Sequence, residues 1–436
     1  MQKQISNFVL QLQSQKRLPL LALANEVVIY AAAINEKPTF GPRTRRLHRL
    51  MRIAYKLKMS DMLIFGVGLG RAFSTWRACK KKSMSDEDLG RYHRIFVGSS
   101  VSSEQYLHAD YVKQSILPLL KLNNNTFEGV SAFGKPRLKD VFMMLVRQAI
   151  GFTAKLKSAE SEINGNTIDF LTTCAANIGS YAFYRIYWRK VKAYNIEEVA
   201  FIALDVPVFA CIDEGIKTVY LQHGLLARTV LIPRLDHMYT LTDDEESYFK
   251  EKFKGFKVTR VRKPGERLRQ IKQDVIMLLS PDFMLEESVS IIKKLLKQTM
   301  CKSLKVVIRP RPRVTPEDLE VLLQAFPNTV MDDLSISLSA SIEKWNPKVI
   351  AANCITTGLA TALDYACLPV CFFNPDIESV WVKEIYPHNW WNVIYPMRSR
   401  TLFWPRDDKL IAEAIVSQSA YEAQLEALRK PIDEKF

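Results

Sequence analysis

No stretch of this chain runs 18 or more residues without polar interruption. The nearest is LPLLALANEVVIYAAA over 18–33, and Asn25 and Glu26 break its middle. A membrane-spanning helix is therefore not expected there, and a core element is. The same stretch lacks the charged start and small-residue cleavage site of a secretory leader, so the expected location is the cytoplasm. Cysteine is sparse and scattered: Cys79, Cys174, Cys211, Cys301, Cys354, Cys367 and Cys371, with no CxxC pair. An odd set in mostly apolar runs argues against a disulfide framework or a zinc site and reads as buried reduced thiols. There is no internal repeat and no recognisable nucleic-acid motif. The aromatics are not interleaved with basic residues as in a base-stacking platform, so nucleic acid is not an expected partner.

Acidic residues are also in short supply, 46 against 61 lysines and arginines, which leaves a formal net charge of +15. The excess points to an anionic partner. It is concentrated in RTRRLHRLMRIAYKLK, residues 43–58, where Leu47, Leu50, Met51, Ala54 and Leu57 recur at helical spacing. The plainer reading is an amphipathic helix with its apolar stripe on the core. The sharper one is a patch that rests on an anionic membrane surface or holds an acidic acceptor.

What is present is a chain of 436 residues with an ordinary globular balance, 48% apolar and 25% charged, long enough for two or three domains. Short Val- and Ile-rich runs alternate with amphipathic stretches. Expected strands are 26–32, 62–67, 94–98, 198–204, 218–221, 274–279, 304–309, 349–352 and 369–373; expected helices include 286–297 and 361–367. Uninterrupted apolar strands separated by helices imply parallel sheets covered on both faces. The segment 233–269, with its acidic run and a basic Pro- and Gly-containing piece, reads as a join. The expected domains are 1–235, an α/β unit with an irregular helix-rich insertion near 105–195, and 236–436, a second such unit closed by a helix over 405–430.

Four stretches carry candidate chemistry. In GIKTVYLQHG a strand ends on Gln222, His223 and Gly224. Ligands of open α/β sheets bind beyond the carboxyl ends of strands, which puts the imidazole at such an edge. A lone histidine there also suits a hydrogen-bonded turn. The preceding run FIALDVPVF closes another strand on Asp205, and adjacent parallel strands would place Asp205 and His223 on one rim, as acid–base chemistry requires. In VVIRPRPR a strand end presents Arg309, Arg311 and Arg313 on a backbone stiffened by prolines, which suits phosphate oxygens; a solvated charge cluster is the alternative. In VIAANCITTGLATALDYACL a loop carries Asn353, Thr356, Thr357 and Gly358 into a helix start, where free N–H groups bind phosphate and a plain N-cap is the alternative.

GIKTVYLQHG, LKVVIRPRPR and NCITTGLATALDYACLPVCFF, in that order and spacing, resemble bacterial glycosyltransferases of the two-Rossmann (GT-B) architecture that act in capsule, lipopolysaccharide or teichoic acid assembly. The pattern is similar to the sialyl- and Kdo-type transferases, with CMP-activated ulosonic acid donors, and to the CDP-glycerol glycerophosphotransferases. The resemblance covers roughly 198–375. It implies two Rossmann-like domains facing a central cleft, a CMP-activated sugar donor and a glycan or lipid-linked glycan acceptor. It further implies donor phosphate held by 309–313 and by Thr356 and Thr357. By their place at strand ends, Asp205 is the expected catalytic carboxylate with His223 as its partner, and with no DxD motif at a strand end no metal is expected. No cofactor is expected, and the expected location is cytoplasmic, peripheral on the inner membrane. The chain departs from the family where Arg311-Pro312 replaces a His-Pro. It matches an acidic–acidic–glycine signature literally at Asp213, Glu214 and Gly215, at what should be the edge opposite the active rim. The alternatives are glycerophosphate transfer from CDP-glycerol and a non-catalytic protein that binds nucleotide or polysaccharide.

Overall fold

The computed structural model describes residues 8, 11–12, 23–24, 26–79, 84–98, 119–123, 131–161, 163–222, 232–253, 255–260, 272–279, 285–299, 304–310, 317–326, 329–353, 356–372, 397 and 400–430. They form two α/β units, each built on its own six-stranded sheet. The expected α/β class with two Rossmann-like units is what the chain adopts.

The first sheet has the order β2-β1-β3-β4-β5-β6. Its strands are β1 (Arg94–Gly98), β2 (Leu119–Asn123), β3 (Glu198–Phe201), β4 (Lys217–Leu221), β5 (His237–Thr240) and β6 (Lys257–Arg260), and every pairing is parallel. β3 is buried along its whole length and β4 along all but its first residue. That is the burial expected of strands covered on both faces.

The helices of this unit include α1 (Glu26–Ala33), α2 (Pro42–Lys56), α3 (Ser60–Ala78), α4 (Leu138–Ala149), α5 (Phe152–Lys157), α6 (Thr167–Lys192), α7 (Val206–Asp213) and α8 (Asp243–Lys252). Two expected strands are corrected here. Residues 26–32 form α1, and 62–67 lie inside the 19-residue α3. A short apolar run cannot be told from a buried helix segment by periodicity. In α3 the deciding signal is the buried row Ser60, Ile64, Gly68, Ala72 and Thr75, which recurs about once per turn. α2 begins with a proline in its first turn, where no N–H partner is lost. It is tied to α6 by His48 Nε2 and Asp169 Oδ1 at 2.6 Å.

The segment expected to be a join contains β5, α8 and β6, so the expected boundary at 235/236 falls inside the first sheet, ahead of its last two strands. Described residues as far as Arg260 group with the first unit, except 241–245, which group with the second.

The second sheet has the order β12-β11-β10-β7-β8-β9. Its strands are β7 (Gln273–Leu279), β8 (Lys305–Arg309), β9 (Thr329–Met331), β10 (Pro347–Ala352), β11 (Leu368–Cys371) and β12 (Leu402–Phe403), again all parallel. Its helices include α9 (Leu285–Thr299), α10 (Leu338–Trp345), α11 (Thr357–Asp364), α12 (Asp408–Val416) and α13 (Gln418–Arg429). The expected closing helix is thus two helices, divided at Ser417, whose hydroxyl accepts from Ala420 N and caps the second. α13 is held to the end of α11 by the Tyr421 hydroxyl, which donates to Ala366 O, and by Arg429, which donates to Leu363 O at 2.6 Å. Cys79, Cys174, Cys211, Cys367 and Cys371 are buried free thiols; Cys301 and Cys354 lie outside the described residues. Among the described residues no helix is long and apolar enough to cross a membrane.

Candidate active site

The first rim lies at the carboxyl ends of β3 and β4. The two strands pair in parallel, with Phe201 opposite Tyr220. Asp205 follows β3 and is the exposed N-cap of α7, with extended backbone and no cap bond from its side chain. Gln222 follows β4; it is fully buried, and its backbone N–H donates to Tyr239 O at 3.0 Å. Parallel adjacency therefore brings Asp205 and Gln222 to one edge. His223 and Gly224 lie outside the described residues. A neighbour that sequence reasoning missed is Tyr184 of α6. Burial, and then the negative charge of Asp205, push its phenol well above the usual range. Nothing in the spacing of α6 marks Tyr184 among its many aromatic residues.

Asp213, Glu214 and Gly215 lie at the other end of α7, ahead of β4, on the opposite edge. Their carboxylates are absorbed into helix packing. Asp213 accepts from the Tyr181 hydroxyl, and Glu214 accepts from Arg185 Nε at 2.5 Å and from Arg189 Nε at 3.0 Å. Burial raises the Asp213 carboxyl, against the Tyr181 hydrogen bond and the Arg185 charge, which pull it down. The cluster fastens α7 to α6.

The second rim belongs to the other sheet. Ala352, Leu279 and Arg309 stand in register across β10, β7 and β8, so the carboxyl ends of these strands form one row. The order of connection reverses between β10 and β7, and a parallel sheet opens a crevice at such a point. Asn353 lies just beyond β10, buried, and its Oδ1 accepts from Ser288 Oγ of α9 at 3.0 Å. Ser288 was invisible to sequence reasoning, since it reads as one polar residue on an amphipathic helix.

Thr356 is the N-cap of α11, and Thr357 and Gly358 are its first two residues. Gly358 is there for space. A Cβ on it would stand 2.3 Å from Leu279 Cδ1, so a larger residue would have to push that leucine side chain aside. The Thr356 side chain makes no cap bond, and its Oγ1 is buried without a hydrogen-bond partner. A buried hydroxyl left unmatched costs free energy unless something satisfies it. It stands at a helix start, where the first N–H groups lack the partners that the helix interior supplies.

Arg309 has a different duty from the one expected. Its Nη1 donates to Asp332 Oδ2 at 2.5 Å, Ser341 Oγ at 2.8 Å and Asp333 O at 3.2 Å, and its Nη2 donates to Ile336 O at 2.7 Å. Asp332 is fully buried and also accepts from Trp345 Nε1 at 2.8 Å. The guanidinium is thus committed to the segment that leads from β9 into α10. Arg311 and Arg313 lie outside the described residues. The structure accordingly places Asn353, Thr356, Thr357 and Gly358 between the carboxyl end of β10 and the start of α11, and Asp205 with Gln222 at the rim of the first sheet.

No family model matches the chain, and no curated protein matches its sequence. Among solved structures, the glycosyltransferase SnogD from Streptomyces nogalater is similar with a TM-score of 0.43 and 11% identity, over 78% of this chain and 96% of that one. The UDP-GlcNAc 2-epimerase from Methanocaldococcus jannaschii has a TM-score of 0.37 and 11% identity, over 77% and 92%. A mutant O-GlcNAc transferase from Thermobaculum terrenum has a TM-score of 0.35 and 10% identity, over 94% and 77%. Likenesses this distant leave the function to the residues of the chain itself.

Proposed function

We propose that the protein is a glycosyltransferase of bacterial surface polysaccharide assembly, which moves a sugar from a CMP-activated donor, of the ulosonic acid class, to a glycan or lipid-linked glycan acceptor. The observation that carries this reading is the start of α11. There Thr356, its hydroxyl buried and unpartnered, is the N-cap of a helix that starts just beyond β10, next to the β7/β10 reversal. Such a place suits a phosphate, because the donors and the helix dipole both favour negative charge.

On this reading residues of both rims take part in the reaction. The acceptor hydroxyl oxygen forms a bond to the anomeric carbon, the bond from that carbon to the donor phosphate breaks, and the phosphate leaves with the electron pair. Thr356, Thr357 and the helix start stabilise the departing charge. Asp205 either takes the proton of the acceptor hydroxyl or first attacks the sugar itself, with His223 as its partner. Arg309 acts only by holding the segment after β9, and Arg311 and Arg313 remain the arginines offered to the donor. The enzyme works at the cytoplasmic face of the inner membrane without a metal ion.

Calorimetric titration with CMP, CDP and UDP tests the donor class. CMP is expected to bind most tightly, with or without chelator, and a preference for UDP would remove the cytidine assignment. Hydrolysis of a CMP-sugar by the purified protein, lost in Asp205→Ala, is the expected sign of catalysis. Tight nucleotide binding without any turnover would make the chain a binding protein.

A further inference from the structure

Large apolar side chains exposed to solvent are unevenly distributed over this protein. Among the described residues, all but Val321, Leu334, Leu410 and Val416 lie between 50 and 150. The three most exposed of them, Ile150, Met62 and Leu57, lie at or beside two turns of the first unit. Leu57 and Met59, 63% and 44% exposed, occupy the turn from α2 to α3, and Met62, 67% exposed, opens α3. Ile150, 68% exposed, occupies the turn from α4 to α5. These turns are locked together. The Asp61 carboxylate accepts from Gly151 N at 2.8 Å and from Thr153 N at 2.9 Å, which seats the residue after Ile150 against the residue before Met62. Lys157 Nζ lies 4.9 Å from the centre of the Tyr55 ring and ties α5 to α2. Phe65 and Phe142, edge to face at 5.7 Å, join α3 to α4.

The apolar tip continues along helix faces. Leu50, Ile53 and Leu57 fall on one face of α2, and Met62, Leu69 and Phe73 on one face of α3, at spacings of three, four and seven. The core sides of the same helices are elsewhere, through Met51 on α2 and the Ile64–Gly68–Ala72 row on α3. Around the tip stands an exposed basic collar of Arg52, Lys56, Lys58, Arg147, Lys155 and Lys157. The sequence pointed to the arginine-rich face of 43–58 alone. The structure shows a composite surface from three segments, with apolar side chains at its summit.

We propose that this tip docks on an anionic bilayer, with Leu57, Met59, Met62 and Ile150 entering the headgroup–acyl boundary while the collar meets lipid phosphates. Exposed apolar groups ringed by cations match such a surface on both counts. A second copy of the chain fits worse, because a symmetric contact would set collar against collar in a protein of net charge +15. An anionic surface also suits the lipid-linked acceptor proposed above, but the docking does not depend on that reading.

The test is co-sedimentation of the full-length protein with vesicles, either of neutral phosphatidylcholine or with about one third phosphatidylglycerol, over a salt series. Binding is expected only with the anionic vesicles and is expected to weaken as salt rises. The exposed double variant Met62→Glu/Ile150→Glu should fold with an unchanged melting temperature and partition at least about tenfold less. Lys58→Glu/Lys155→Glu should lose the preference for anionic vesicles. Equal partition of the wild type and the Met62/Ile150 variant would overturn the proposal, as would absence of binding to anionic vesicles. A wild-type dimer that the variant dissolves would overturn it in favour of self-association. Nucleotide titration of the same variant is expected to match the wild type, so failure to dock and failure of the transferase reading give different results.

Discussion

Gly179 of α6 lies directly against the backbone of α3: a Cβ on it would stand 2.0 Å from Gly68 O and 2.8 Å from Ala72 N. The two long helices touch through their main chains here, and no rotamer change can relieve a collision with backbone. Gly179→Ala is therefore expected to destabilise the first unit by about 3 kcal/mol or more. Gly66, on the exposed side of α3 with nothing within 4 Å, is the control. Gly66→Ala should be neutral or stabilising by ~0.5–1 kcal/mol, since it relieves only the helix penalty of glycine. Urea unfolding followed by circular dichroism reads both.

Arg309 is expected to behave as a structural residue. Removing it strands a fully buried Asp332 carboxylate. Breaking such a pair costs roughly 3–5 kcal/mol, more than a surface pair would. Arg309→Ala should therefore lower the melting temperature, while nucleotide affinity of the folded fraction stays within about twofold of the wild type. Arg309→Ala that melts normally and loses nucleotide would return Arg309 to the donor site.

The sheets were largely legible in the sequence because buried parallel strands concentrate Val and Ile into short unbroken runs, as in KVVIR of β8 and VIAA of β10. The same signal failed at EVVIYAA and MLIFGV, which are helical, because a run of six or seven apolar residues fits either element. β5 and β6 were missed for the opposite reason. HMYT and KVTR carry polar and charged residues, and β6 closes the edge of its sheet. At the site, residue types at strand ends were readable, but their partners were not. Nothing local links Arg309 to Asp332, Asn353 to Ser288 or Asp213 to Tyr181, since each pair is set by tertiary packing.

His237 opens β5 with its Nε2 3.0 Å from Thr259 Oγ1. Burial first, and then the nearby Lys257 and Lys217, hold its pKa down to about 4, while Glu198 pulls the other way. The native state thus keeps this imidazole neutral, whereas the unfolded chain protonates it near the ordinary histidine value of about 6.5. Between those values the unfolded state binds more protons, so stability is full above about pH 6.5 and is lost as pH falls towards 4. With allowance for solvent screening the loss is ~1–2 kcal/mol. Denaturant titrations at several pH values should show a shallower decline in His237→Gln than in the wild type, and identical slopes would show that His237 is not its source.

Thr356 gives the sharpest separation of fold from function. Its Oγ1 is buried and unmatched, so the folded protein alone gains nothing from the hydroxyl. Thr356→Val keeps the shape and replaces an unsatisfied polar atom with a methyl group; stability should stay level or rise by up to ~1 kcal/mol. If the hydroxyl meets a donor phosphate, the same change removes one hydrogen bond to a charged group. Nucleotide affinity should then fall by roughly tenfold or more, the equivalent of about 1.5–3 kcal/mol. Thermal melting with and without CMP reads both effects in one experiment. A variant that melts higher in the apo state and gains less from CMP fits a phosphate site at the start of α11. A variant that melts lower in the apo state and gains as much from CMP would make Thr356 a packing residue and move the donor away from this helix.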